Sequence, residues 1–102
     1  MRYGVLPDAE FEDYKERLHS LIHLLLVYQD ENNPDLSQYF EKVQAKLAGL
    51  SSLLQEEPLC VELMVLIESA RVMLEGSDFN PKLYRKMILD SHELIDRIFR
   101  EL

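Results

Sequence analysis

Three histidines and one cysteine are the side chains of this chain best suited to chemistry. His19 and His23 stand four apart, the spacing at which two imidazoles on one helix can grip a transition metal, and Glu12 and Glu16 share their face. A working site needs three or four ligands held by supporting hydrogen bonds. This face lies opposite the apolar stripe of its helix, so the expectation is a solvated polar face. His92 falls at the edge of another stripe, beside Ile88 and Ile95, and is expected to flank the core. Cys60 recurs with Leu63, Ile67 and Leu74 at helical spacing and has no histidine within a turn to generate a thiolate. It reads as a buried, inert thiol, and Met64, Met73 and Met87 read as gap fillers. There is no Gly-rich phosphate loop, no serine elbow and no paired cysteine motif. The sequence therefore assigns no catalytic residue, no metal ligand and no cofactor, and the expectation is a protein that is not an enzyme.

Ser91-His92-Glu93-Leu94 resembles the start of the phospho-accepting box of sensor histidine kinases. Ile95-Asp96-Arg97 then stands where Arg-Thr-Pro would follow. Phosphotransfer domains, which are helical bundles of similar size, look like His-x-Leu-Lys-Gly around their histidine, and none of the three histidines matches.

These residues must be positioned by helices. Proline and glycine punctuate the chain at Asn32-Asn33-Pro34, Glu56-Glu57-Pro58 and Gly76-Ser77-Asp78-Phe79-Asn80-Pro81. Between these breaks the apolar residues recur at helical spacing, with no strand alternation and no repeat. The spacing predicts helices over about 8–30, 36–55, 58–75 and 81–102. The caps are Asp8 for the first, Asp35 with Gln38 at capping-box spacing for the second, and Asn80 for the fourth. Pro58 and Pro81 open helices at N1, Gly76 closes the third at C′, and Phe79 with Tyr84 forms a hydrophobic staple. The stripes are Phe11, Tyr14, Leu18, Leu21, Ile22, Leu25 and Tyr28; then Leu36, Tyr39, Phe40, Val43, Leu47, Leu50, Leu53 and Leu54; and, in the last helix, Tyr84 to Leu102. Four helices joined by short loops double back on one another. The expected fold is all-α: one domain over residues 1–102, an antiparallel up-down-up-down four-helix bundle. Gly49, near Ala45, Ala48 and Ser52, is either a close helix approach or a tolerated glycine.

Composition narrows the function classes. The 102 residues carry 11 Lys+Arg against 19 Asp+Glu, a net charge of −8, which leaves no dense cationic patch for nucleic acid. One cysteine cannot form an internal disulfide. The first residues, Met-Arg-Tyr-Gly-Val-Leu-Pro, lack the apolar core of a signal peptide, and the longest apolar runs are too short to span a membrane. A cytoplasmic domain with no transmembrane segment is expected, with a peripheral position at the inner face of the cell membrane as a variant of that expectation.

Two features exceed what a bare bundle needs. Val61, Val65 and Val72 point away from the core sector of helix 3, where a solvated face favours Glu, Lys or Gln. They form an apolar ridge suited to a partner or to a second copy in a weak homodimer, unless Tyr3–Leu6 folds over them. Leu24 and Val27 repeat this more weakly on helix 1. The second feature is Lys82, Arg85 and Lys86 in the first two turns of helix 4, at the positive pole of its dipole. Either Glu75 and Asp78 compensate them across the turn, or they form a basic spot aimed at an acidic partner. Glu93–Arg97 and Asp96–Arg100 are expected i,i+4 pairs.

Asn33-Pro34-Asp35-Leu36 opens helix 2, Glu57-Pro58-Leu59 opens an apolar helix 3, and a turn from Gly76 to Phe79 leads into Asn80-Pro81-Lys82-Leu83-Tyr84. Over roughly residues 12–99 this layout is similar to the immunity proteins of pediocin-like (class IIa) bacteriocins, the enterocin A immunity family. The resemblance implies a cytoplasmic four-helix bundle that protects a producing bacterium from its own pore-forming peptide. It implies action by binding, at a membrane permease of the mannose phosphotransferase type once the bacteriocin peptide has engaged it, with helices 3 and 4 deciding which peptide is countered. Many members are basic, whereas this chain is acidic, which favours a protein contact over an anionic lipid surface. On that reading Val61, Val65, Val72, Lys82, Arg85 and Lys86 are the partner-binding residues. The second reading is a small acidic adaptor or chaperone-like regulator that sequesters a basic or amphipathic helix.

Overall fold

A computed structural model describes residues 8–55 and 57–101, with the side chains of 12–55 and 57–100. The expectations for Tyr3–Leu6 and Leu102 lie outside the described residues, and those for the Asp8 cap and Phe11 outside the described side chains. The four helices are α1 (Asp8–Asp30), α2 (Leu36–Leu53), α3 (Pro58–Glu75) and α4 (Pro81–Glu101). They form an all-α antiparallel bundle 44 × 21 × 20 Å in extent. Each helix packs on two neighbours in the closed order α1–α2–α3–α4–α1, and across one diagonal the Phe40 and Tyr84 rings meet with centroids 6.4 Å apart.

The stripes become the core. Leu18, Ile22 and Leu25 of α1 meet Phe40, Val43 and Leu47 of α2, Leu63 and Ile67 of α3, and Ile88, Ile95 and Ile98 of α4, all essentially without exposed surface. Burial of each such side chain stabilises by roughly 1.5–3 kcal/mol before the entropy of ordering is subtracted. Leu53 departs from the expected stripe and is 37% exposed. It is the last helical residue of α2, where the chain turns away. The helix ends there and not at residue 55 because Leu54 leaves the helical run and Gln55 takes φ 58°. Two hydroxyls pin α1 from either side. Tyr39 donates to the Leu21 carbonyl at 3.0 Å, and the buried Tyr84 donates to the Leu25 carbonyl at 2.7 Å.

The termini follow the expected chemistry at some places and depart at others. Asn80 caps α4, its Oδ1 accepting from Lys82 N at 3.0 Å and Leu83 N at 3.2 Å, and Phe79 packs on Tyr84 with ring centroids 5.5 Å apart. Pro58 opens α3, and its cap is the Glu57 carboxylate, which accepts from Leu59 N at 2.7 Å and Cys60 N at 3.3 Å. The capping box expected at Asp35 does not form. Asp35 makes no side-chain cap bond, and Asn33 Oδ1 accepts from Asp35 N at 2.9 Å, so an Asx turn organises this corner. Gly76 is the C-cap itself, in an extended conformation at φ −86° and ψ 173°, and not a left-handed C′. Gly49 is exposed with nothing within 4 Å of a Cβ placed on it, so it mediates no close helix approach.

Candidate functional site

Val61, Val65 and Val72 are 44%, 60% and 56% exposed, as their spacing on α3 requires. They recur at four and seven residues, the repeat of one helical face. The residues between them, Leu63, Ile67 and Ala70, are buried, so α3 is apolar on two opposite sides. The three valines, with Met64 and Met73, line a groove of about 810 Å³ between α3 and α2 whose far wall includes Leu47. Its one charged lining residue is Glu68. The Glu68 carboxylate accepts from Gln44 of α2 and is paired with Arg71, which also reaches Glu75 at 2.8 Å. The Arg71 guanidinium holds the Glu68 carboxyl below its ordinary 4.5. A smaller groove of about 360 Å³ lies on the other side of Val65, between α3 and α4, and is lined by Glu62, Asp90, Glu93 and Arg97. Val65 is thus the valine that stands between an apolar groove and one rich in acids.

The basic start of α4 is locally paired. Arg85 reaches Asp30 of α1 at 3.5 Å, and Lys86 reaches Asp90 at 2.8 Å. The compensation therefore comes from Asp30 and Asp90. Glu75 is engaged by Arg71, and neither it nor Asp78 pairs with these cations among the described residues. Lys82 makes no ion pair among the described residues. The structure brings the three valines together, turns Arg85 toward Asp30 of α1, and sets Lys86 on Asp90 at the rim of the α3–α4 groove. Leu24 and Val27 of α1 are half-buried, and Leu24 packs against the core.

Sequence reasoning missed a polar cluster in the α1–α4 seam. His19 is half-buried and not on a solvated face. Its Nδ1 lies 2.7 Å from Nδ1 of His92, and its Nε2 lies 2.9 Å from the Asp96 carboxylate. Lys15 approaches the same carboxylate at 3.7 Å. The imidazole planes are 18° apart with centroids at 5.0 Å, about one ring radius on each side plus the N···N distance. The rings therefore meet head to head along a straight hydrogen bond. Burial, then the His19 and His23 charges, push the His92 pKa down from 6.5, against the pull of Asp96. Burial raises Asp96, but the His19 ring, Lys15 and Arg100 outweigh it and hold the carboxyl below 3.8. Asp96 therefore pairs with His19 and Lys15 in place of the expected Arg100 ion pair, and Glu93–Arg97 forms no ion pair among the described residues. The available signal was an apolar residue three positions on from each histidine, Ile22 and Ile95. His23 remains exposed. No group of three or more His, Cys, Asp or Glu among the described residues is arranged to hold a metal ion.

Cys60 is a buried free cysteine, and burial pushes its thiol up to about 11. At neutral pH it is protonated and a poor nucleophile. No described helix is long and apolar enough to cross a membrane. Comparison with known proteins returned no matching family model, no matching curated protein and no matching solved structure.

Proposed function

We propose that this chain is an immunity protein of the pediocin-like bacteriocin type, acting in the cytoplasm of a producing bacterium by occupying the surface of a peptide-engaged membrane permease. The observation that carries the reading is the α3 valine face: three exposed β-branched residues whose burial the bundle does not need. The helix order, the turn at Asn33-Pro34-Asp35 and the Asn80-Pro81 start of α4 support it. Val61, Val65 and Val72 make the central contact. Lys82, without an ion pair among the described residues, is the basic residue at the start of α4 best placed to reach an acidic partner, and Arg85 and Lys86 contribute only by exchanging Asp30 and Asp90 for partner carboxylates.

The test is expression in a bacteriocin-sensitive strain, followed by challenge with a panel of pore-forming peptides. Protection against at least one peptide is expected. Absence of protection against every peptide, with the protein folded and abundant, overturns the reading. One observation favours the second reading, an adaptor that sequesters a basic amphipathic helix. The valines line an apolar groove, and Val65 also borders a groove rich in acids, a layout complementary to a helix with an apolar stripe and a cationic flank. Affinity capture from the host separates the two readings, since immunity predicts a membrane permease and the adaptor predicts a basic helical protein.

A further inference from the structure

A head-to-head imidazole pair is a counting device for protons. Two facing ring nitrogens make a hydrogen bond only when one of them is protonated and the other is not. With His19 Nε2–H donating to Asp96, the neutral pair carries its second proton between the two Nδ1 atoms. A third proton goes to the outer Nε2 of His92 and leaves that bridge intact. The positive charge is then shared along the N–H···N bond, with the Asp96 carboxylate at its far end. A fourth proton sets N–H against N–H at 2.7 Å and places two cations in contact. The bond is lost and the rings repel.

The surroundings sharpen that limit. Lys15 and His23 on α1 and Arg100 on α4 add positive charge around the cluster, and Asp96 is the carboxylate that opposes it. No α2 or α3 group is among the charges acting on His92 or Asp96. The α4 acids Asp90 and Glu93 line the α3–α4 groove.

The position of the pair decides what its loss releases. Above it, toward the C-terminal end of α1, the seam is fastened by the Tyr84 hydroxyl on the Leu25 carbonyl. Below it, the polar and ring contacts across the seam are Lys15–Asp96 and the Tyr14–Phe99 rings, whose centroids are 6.3 Å apart, and Leu18 is the buried core residue of that segment. We propose that His19 and His92 form an acid-operated latch between α1 and α4: a single bridging proton keeps it closed, and a proton on each facing nitrogen opens it, freeing the N-terminal half of α1. The inference is independent of the immunity reading, since it needs no partner.

The experiment is amide hydrogen exchange together with imidazole 15N shifts on the full chain, between about pH 7 and about pH 4. Protection factors over 12–19 are expected to fall about tenfold across that range, while those of α2 and α3 hold. The two rings are expected to titrate in two coupled steps. His92→Gln, which offers His19 an amide donor that cannot ionise, is expected to keep α1 protected at the acid end. Unchanged protection in the wild type, or loss at the same pH in His92→Gln, overturns the latch. Should the glutamine variant not fold, the wild-type shifts decide alone. Two separated steps support the proposal, and both rings titrating independently near 6.5 overturn it.

Discussion

Single groups here carry consequences out of proportion to their size. The Tyr84 hydroxyl is fully buried and its bond to the Leu25 carbonyl joins residues 59 apart in sequence. Tyr84→Phe is expected to lower unfolding free energy by about 1 kcal/mol in urea titrations, with the far-UV spectrum unchanged. Glu57→Ala removes the acceptor for two amides at the start of α3 and is expected to cost about 1 kcal/mol. The pH dependence has a definite sign. His92 binds its proton less readily folded than unfolded, so its contribution is complete above 6.5 and is lost as pH falls through the depressed folded value. Asp96 is likewise held low, and its contribution is lost further down, as pH falls below 3.8. Chemical denaturation from pH 8 downward is expected to show decline setting in near the histidine range and deepening in the carboxylate range. Cys60 is expected to resist thiol reagents in the native state and to react fully in denaturant, since its thiol is both buried and pushed up to about 11.

Helices were the most legible feature of the sequence, because a 3.6-residue stripe is repeated several times within each one. Pro58, Pro81 and Asn80 marked their starts through backbone chemistry that acts locally. The end of α2 was not legible in the same way. Gln55 adopts a left-handed conformation that its residue type does not advertise, and Glu57 caps α3 although its longer side chain is not among the usual capping residues. The valine face was readable because it violates the solvated-face preference. The His19–His92 pair was not, since α1 and α4 share no hairpin and nothing local sets the register between them. Only the folded bundle places Tyr14 against Phe99, His19 against His92 and Leu25 against Tyr84. At this scale Gly49→Ala is expected to raise stability by about 0.5–1 kcal/mol, since the site is helical, exposed and open. Replacing Val61, Val65 and Val72 together by Gln is expected to leave unfolding free energy within about 0.5 kcal/mol per site, while abolishing protection in the challenge assay.

The whole molecule is a closed ring of four helices with one core and an outer surface of net negative charge. The surface ion pairs Arg85–Asp30 and Lys86–Asp90 join exposed side chains and are worth little to the fold. Arg85→Ala with Lys86→Ala is therefore expected to leave the thermal midpoint nearly unchanged, and any drop in protection reports a lost contact. The valine ridge has a different kind of consequence. It lies outside the packed core, so its chemistry can drift from one set of side chains to another at little cost to folding. On the proposed reading, a lineage built on this scaffold is free to change what it recognises by successive single replacements, each intermediate nearly as well folded as the last.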